Sequence, residues 1–573
     1  MLKDSDSYWR RIDGVGIGAI GLLGSDIYDK LMILRALRPE FPDTIFFTNN
    51  YDAHFERRDD LGDTHNLIIG SPFGGELATN SRRGQRVPPF RDSNQTALYA
   101  ATLVATGYLD KDLAAYFFQH PRIFEISRRG AWELSNPWEF KGQEYSRTHK
   151  TWFREWLYSD AVRWHLLIAA AALAAIVIWV SASNAHRTLP AGGTTPQRMA
   201  RVFSSTPFWV ICGTPIIVLC VAAYAQSGTA LLEPFAFFSG ISIWPTEMLR
   251  LVALMLAIHF MIKAGIDLRA NEREVEKRFC LKPLQQTRFR WADIGLGLEL
   301  WQLAPAKRPA VDSEFTAQVA WYAYCRRNKF WPRFIRVAIL FTLYFIFSFS
   351  LFTLFPSAVP PARGDTARQF DLCVLLASVI ALLILSFYVV DAIRLNSNLI
   401  RLFAREVTKW GHGVAEQCRR SPPLTEEELS AYHEIFFVAQ RTQVVARLIW
   451  YPLIVLTLLI VARWNVFDNW SWPTSLLIIY ALNAAWALGS AVYLRRAAEQ
   501  LRAAALDNLA LLRLGAFTNE VKRETFDELI VEIRNLKKGA FAPLGEQPFI
   551  RAVLLNSGSL GLLAVGQRLL DIF

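Results

Sequence analysis

Residues 14–30 read GVGIGAIGLLGSDIYDK, and Gly16, Gly18 and Gly21 stand in the G-x-G-x-x-G spacing of a dinucleotide-binding turn. That chemistry needs its glycines after a strand and at the mouth of a helix, where free N–H groups can meet a pyrophosphate. The order here is different. Tyr8 to Gly14 is too charged for a buried strand, whereas Ala19 to Leu23 suits one, so Gly16 and Gly18 precede the strand and Gly21 falls inside it. The helix starts later, at Gly24-Ser25-Asp26, with Ile27, Leu31, Leu34 and Leu37 on one face. No cofactor is expected from this stretch.

Other reactive residue types are equally scattered. Six cysteines show no C-x-x-C spacing, and His433-Glu434 is followed by Ile-Phe-Phe in place of a second zinc-protease histidine. Neither a disulfide framework nor a metal site is expected, and histidines of this kind are read as satisfied or solvated. No nucleophile lies beside a base, and no phosphate loop is present, so the chain does not read as an enzyme.

Strand-helix alternation accounts for the first 135 residues. Strands are expected at Ala19 to Leu23, Thr44 to Thr48, Asn66 to Gly70 and Arg122 to Ile126. Helices are expected at Asp26 to Leu37, Asp92 to Thr106 and Asp110 to Gln119. The pattern predicts an α/β layer on a parallel sheet. Ligands of such sheets sit beyond the carboxyl ends of the strands, which points to Ser25, Asp26, Asn49, Asp52, Ser71 and Arg91 as a polar set able to hold a zwitterion. The same residue types also cap helices and form turns.

The runs AIGLLGSDIYDKLMILRALRPEFPDTIFFTNNYDA, NLIIGSPF and PPFRDSNQTALYAATLVATG resemble part of a type I periplasmic-binding-protein domain, of the branched-chain amino-acid receptor kind. The resemblance covers roughly residues 1–135 and implies a lobe that closes on a small ligand outside the membrane. Two lobes would need over twice this length, and MLKDSDSYWRR has no apolar signal segment. The expectation is a single lobe, or a chain that starts inside a longer protein.

The rest of the chain is apolar. Seven runs are long enough to cross a bilayer as helices: Trp164 to Ala182, Phe208 to Ala225, Trp244 to Ile262, Val337 to Phe355, Phe370 to Val390, Leu448 to Val461 and Thr474 to Leu494. Ala552 to Leu570 is interrupted by polar residues and reads as interfacial. The fold class expected is a multi-pass α-helical membrane protein of about seven transmembrane helices, with an N-terminal α/β domain and a helical cytoplasmic layer.

The domain order is a lobe (1–135), an aromatic interfacial linker (136–163), spans 1–3 (164–262) and a basic segment (263–336). Spans 4–5 (337–390), cytoplasmic helices (391–447), spans 6–7 (448–494) and a helical tail (495–573) complete it. Charged extensions continue three spans, over Lys263 to Arg278, Asp391 to Lys409 and Arg495 to Leu514. Thr425 with Glu428, and Thr525 with Glu528, fit capping boxes at the start of two further helices.

Lys and Arg number 62 against 51 Asp and Glu, and the excess gathers on alternate loops. Arg187, Arg198 and Arg201, then Lys263 onward, then Arg394 to Arg420, then Arg495 to Arg502 mark the cytoplasmic side, leaving the lobe outside and the carboxyl terminus inside. A bacterial inner membrane fits this pattern. Anionic headgroups, not nucleic acid, are the partner the basic excess implies. Oligomeric state is not written in the pattern.

Within the spans few residues ionise. Glu247 and Arg250 are spaced to pair near the outer end of the third span, His259 lies near its inner end, and Asn483 is the deepest amide. Six of the seven spans read as free of deep charge. Trp244, Trp331 and Trp472, each followed by proline, read as interfacial anchors. Three functions fit: a receptor-like protein passing the state of the lobe to cytoplasmic helices, a transporter component, or an anchoring scaffold. The lobe's partner would be a small polar ligand or another protein.

Overall fold

The computed structural model describes residues 17–41, 44–75, 89–108, 121–128, 130–135, 240–282, 316–354, 365–404, 408–410, 424–464, 474–515 and 520–542. It also describes shorter pieces at 213–219, 221–222, 233, 362–363, 414 and 467.

The lobe is a five-stranded sheet in sequential order: β1 (Ala19–Leu22), β2 (Ile45–Asn49), β3 (Ile68–Ser71), β4 (Arg122–Ser127) and β5 (Gly130–Glu133). β1, β2 and β3 pair in parallel, but β4 runs antiparallel to β3 and β5 antiparallel to β4. The sheet is therefore mixed, which corrects the parallel sheet expected from the strand-helix alternation. The cause is local at β5: a two-residue link joins it to β4, and such a link permits only an antiparallel return. Gly130 adopts φ 108°, and Ser127 donates its hydroxyl to the Gly130 carbonyl at 2.7 Å, closing the turn.

Helix α1 (Ile27–Leu37) begins after Asp26, whose side chain accepts from the Tyr28 and Asp29 amides. Its Leu31 and Leu34 pack with Phe46, Ile69, Phe124 and Ile126 into the lobe core. Gly18 precedes β1 and Gly21 lies within it, the order argued from the sequence; Gly16 and the helix expected at Asp110 to Gln119 lie outside the described residues. A short helix α2 (Leu61–Thr64) and α3 (Ser93–Ala105), capped by Asp92, are the lobe's other α-helices among the described residues.

Beyond the lobe, five helices among the described residues are long and apolar enough to cross a membrane. They comprise α4 (Trp244–Arg278), α6 (Phe330–Leu354), α7 (Asp365–Phe403), the nearly continuous pair α8 (Glu426–Leu448) and α9 (Trp450–Ala462), and α10 (Thr474–Gly515). Five is fewer than the seven expected. The run Trp164 to Ala182 lies outside the described residues, as do Ala552 to Leu570 and the linker 136–163. Phe208 to Ala225 is described only at 213–219 and 221–222, both helical. The break after Leu448 has a cause in Pro452, which lacks the N–H that would bond back to the Leu448 carbonyl.

On α6, Phe345, Ile346, Phe349 and Phe352 are all exposed. Such a face is unfavourable in water and at home in lipid.

α4, α7 and α10 hold 35, 39 and 42 residues without interruption. At about 1.5 Å per residue each outruns a hydrocarbon layer of about 30 Å. Their charged carboxyl halves leave the apolar zone and pack with α5 (Ala317–Arg327), α8 and α11 (Glu520–Asn535) into a helical layer remote from the lobe. Arg441 of α8 is the hub of that layer: it donates to Asn396 of α7 (3.1 Å), Asn271 of α4 (2.8 Å) and Tyr324 of α5, and pairs with Glu272 at 3.1 Å. Thr425 forms its capping box with Glu428. Thr525 does not cap: α11 starts at Glu520, drawn back by the helix-forming run EVKRE, and Thr525 donates to the Val521 carbonyl from inside the helix.

Candidate functional site

The carboxyl ends of β1 and β2 open onto a cavity of about 260 Å³ lined by Ser25, Asp26, Lys30, Asp52, His54 and Arg91, among others. Four of the six residues singled out in the lobe therefore converge on one space. The other two do not line it. Asn49 sits behind it, accepting from Lys30 Nζ through its carbonyl (2.8 Å) and its Oδ1 (3.1 Å). Ser71 is buried and donates to the Phe73 carbonyl.

Each carboxylate of the cavity has a local task. Asp26 caps α1, Asp52 accepts from the His54 amide (2.9 Å) and faces its Nδ1 (2.7 Å), and Asp92 caps α3 while Arg91 folds onto its Oδ2 at 3.0 Å. Oδ1 performs the capping in Asp26 and Asp52, which leaves Oδ2 of both without a donor among the described residues.

Lys30 is the cation that the sequence reading missed. Its signal was present, because Ile27, Lys30, Leu31 and Leu34 share one helical face, and a lysine there must turn inward. Burial pulls its ammonium below the usual lysine range, while the nearby Asp52 carboxylate pushes it back up. The cavity can thus offer a positive group and carboxylate oxygens to one small polar molecule.

The lobe joins the bundle through a buried ionic junction. Arg363, ahead of α7, donates to both carboxylate oxygens of Glu125 in β4, with Nε to Oε2 at 2.8 Å. Its backbone N–H donates to Glu233 Oε2 at 2.7 Å, and its guanidinium also reaches the Ile241 carbonyl ahead of α4. Glu233 Oε1 accepts from the Ile243 amide at 2.8 Å. Glu125 is 1% exposed and Glu233 0%. Burial pushes the Glu233 carboxyl up to about 7, against the opposing pull of Arg363. Trp132 of β5 packs on Ile241 beside the junction.

The chain matches no family model, no curated protein and no solved structure.

Inside the bundle, Arg250 donates to Glu247 as their spacing suggested, and also to Asp371 of α7 at 2.6 Å. Asp371 is buried at the start of the run Phe370 to Val390, a shallow position that the sequence reading did not single out. Asn483 on α10 donates to the Tyr344 hydroxyl on α6 at 3.2 Å. His259 is half-buried, its ring near Phe260. Trp244, the first residue of α4, is buried against Phe370, while Trp331 is exposed and Trp472 lies outside the described residues. His433 is buried, and its Nε2 has no partner among the described residues.

Arg363, Glu125 and Asp371 went unnoticed because their partners lie far along the chain. Arg363 and Glu125 are 238 residues apart.

Proposed function

We propose that this chain is a receptor-like integral membrane protein, in which the α/β lobe senses a small polar ligand or a protein partner and the bundle passes its state to the remote helical layer. One observation carries the reading: Arg363 ties Glu125 of the sheet to the start of α7, and α7 runs unbroken from there into the layer around Arg441. A shift of β4 therefore acts on a rod that ends among the far helices. The resemblance of the lobe to a type I periplasmic-binding-protein domain agrees with a sensing role, as does the charge-mixed cavity. In this reading Trp164 to Ala182 and Phe208 to Ala225 supply two further spans, the lobe is outside, and the Arg441 layer is cytoplasmic.

The test uses the full chain in lipid nanodiscs and a panel of free amino acids and short peptides. Binding should alter hydrogen-exchange protection over 263–278 or 391–403, and Arg363→Gln should uncouple that change from binding. Ion-driven uptake in proteoliposomes, abolished in Glu247→Gln, would replace the sensor with a transporter.

A further inference from the structure

The apolar part of the bundle holds a concentration of charge that sensing does not call on. Glu247 lies in the first turn of α4, Arg250 one turn later, and Asp371 two turns into α7. The Arg250 guanidinium donates to Glu247 Oε1 and to Asp371 Oδ1, the latter at 2.6 Å. Side-chain exposure is 5% for Arg250, 0% for Glu247 and 6% for Asp371.

Two further groups face this cluster. Tyr480 of α10 acts on Arg250, and Arg463, just past α9, acts on Tyr480. Thr246 donates to the Ala462 carbonyl and fixes the end of α9 against α4.

One oxygen is left over. Glu247 Oε2 is buried, and no donor reaches it among the described residues. The carboxyls of Glu247 and Asp371 are nevertheless held side by side, because the same Arg250 nitrogen, Nη1, donates to both. Two carboxylates at that separation repel strongly in a medium without water, and two ionised acceptors cannot bond to each other. The Arg250 guanidinium, the cation in contact with both, brings one positive charge to two acids. A proton on either carboxyl removes the repulsion and supplies the missing donor in one step.

We propose that Glu247 and Asp371 bind one exchangeable proton between them, which makes the α4–α7 contact near the lobe a proton-binding site. The proton forms an O–H bond on one carboxyl and a hydrogen bond to the other. It comes from water at that end of the bundle and returns there when α4 and α7 part. This goes beyond the sensing role and stands without it, because the site is complete within the bundle.

Infrared spectroscopy of the full-length protein in lipid membranes tests it, with no ligand required. At a pH well above 7, where Glu233 is ionised, the wild type should show the carbonyl stretch of a protonated carboxylic acid, displaced in D2O. Glu247→Gln and Asp371→Asn should each abolish that band, because either change leaves one carboxylate neutralised by Arg250. Both replacements keep the shape of the side chain, and the wild-type spectrum needs neither. A wild type without the band, or a band that persists undiminished in both variants, overturns the proposal.

Discussion

Arg363 and Glu125 form a two-pronged guanidinium–carboxylate pair that joins a strand of the lobe to the approach of a membrane-spanning helix. The geometry is the one in which arginine is not replaceable by lysine, because both parallel N–H donors are used. Removing the guanidinium strands Glu125 and weakens the hold on Glu233. Arg363→Met should therefore cost about 3 to 5 kcal/mol of docking, the range for breaking a buried ion pair. A disulfide engineered by W132C and I241C reads this directly. It should form readily in the otherwise native protein and poorly once Arg363 is changed.

The same junction should respond to pH through Glu233, whose carboxyl is pushed from 4.5 up to about 7 by burial. A carboxyl with a raised value in the docked state binds its proton more tightly there. Its contribution is thus complete below 4.5 and disappears as pH climbs through about 7. The lobe–bundle contact should unfold at lower temperature as pH rises across that window, and E233Q should flatten the response. An unchanged slope in E233Q would assign the effect to another group.

In the lobe, Lys30→Met removes the buried ammonium that holds the Asn49 carbonyl and Oδ1. It should abolish binding of any amino acid that stabilises the wild type in a thermal-shift panel, while the lobe stays folded. Asp26→Ala loses an N-cap as well and should lower lobe stability by about 1 kcal/mol. If a ligand is found and Lys30→Met, Asp26→Ala and Asp52→Ala all bind it normally, the cavity is not its site.

Loop charges predict that reporters fused after Gly240 or Asn469 lie outside the membrane, and those after Thr195, Gly411 or Phe573 inside. A cytoplasmic signal from the Gly240 fusion reverses the orientation.

Arg441 touches α4, α5 and α7 from α8. Arg441→Ala should loosen all three contacts together, and Arg441→Lys should rescue little, since one ammonium cannot reach four acceptors on different helices. Cysteine accessibility at Cys325, buried in part beside Tyr324, provides the readout, with faster thiol labelling expected in both variants.

What was legible in the chain was local. Apolar runs passing into charged helical runs marked the extent of α4 and α10, whereas α7 ends at Phe403, short of the Lys409 expected, which instead bridges to Thr316; single residues such as Asp26, Asp92 and Thr425 marked helix starts. Even local patterns misled at Thr525, where a capping-box spacing fell on residues already helical. The pairings that tie elements together were not legible. Arg250 meets Asp371 across 121 residues, and no periodicity encodes such a meeting. Lys30 falls between these cases: its place on an apolar face was written in the sequence, but the acceptor at Asn49 was not.

One consequence concerns the lipid itself. The apolar part of α6 from Val337 to Leu354 spans about 27 Å as a helix, close to an ordinary hydrocarbon thickness. At its charged end, Arg336 grips both oxygens of Asp391 on α7, and Arg333 lies over the Tyr388 ring and bonds the Tyr388 carbonyl. A helix held this way cannot slide or lean on its own when the bilayer thickens, and its arginines are not free to snorkel. The bundle must tilt as one body, or the surrounding lipid must thin to meet α6. The Arg336–Asp391 clasp thereby turns one lipid-facing helix into a ruler, and the compartment whose membrane matches it is the one where this protein rests without strain.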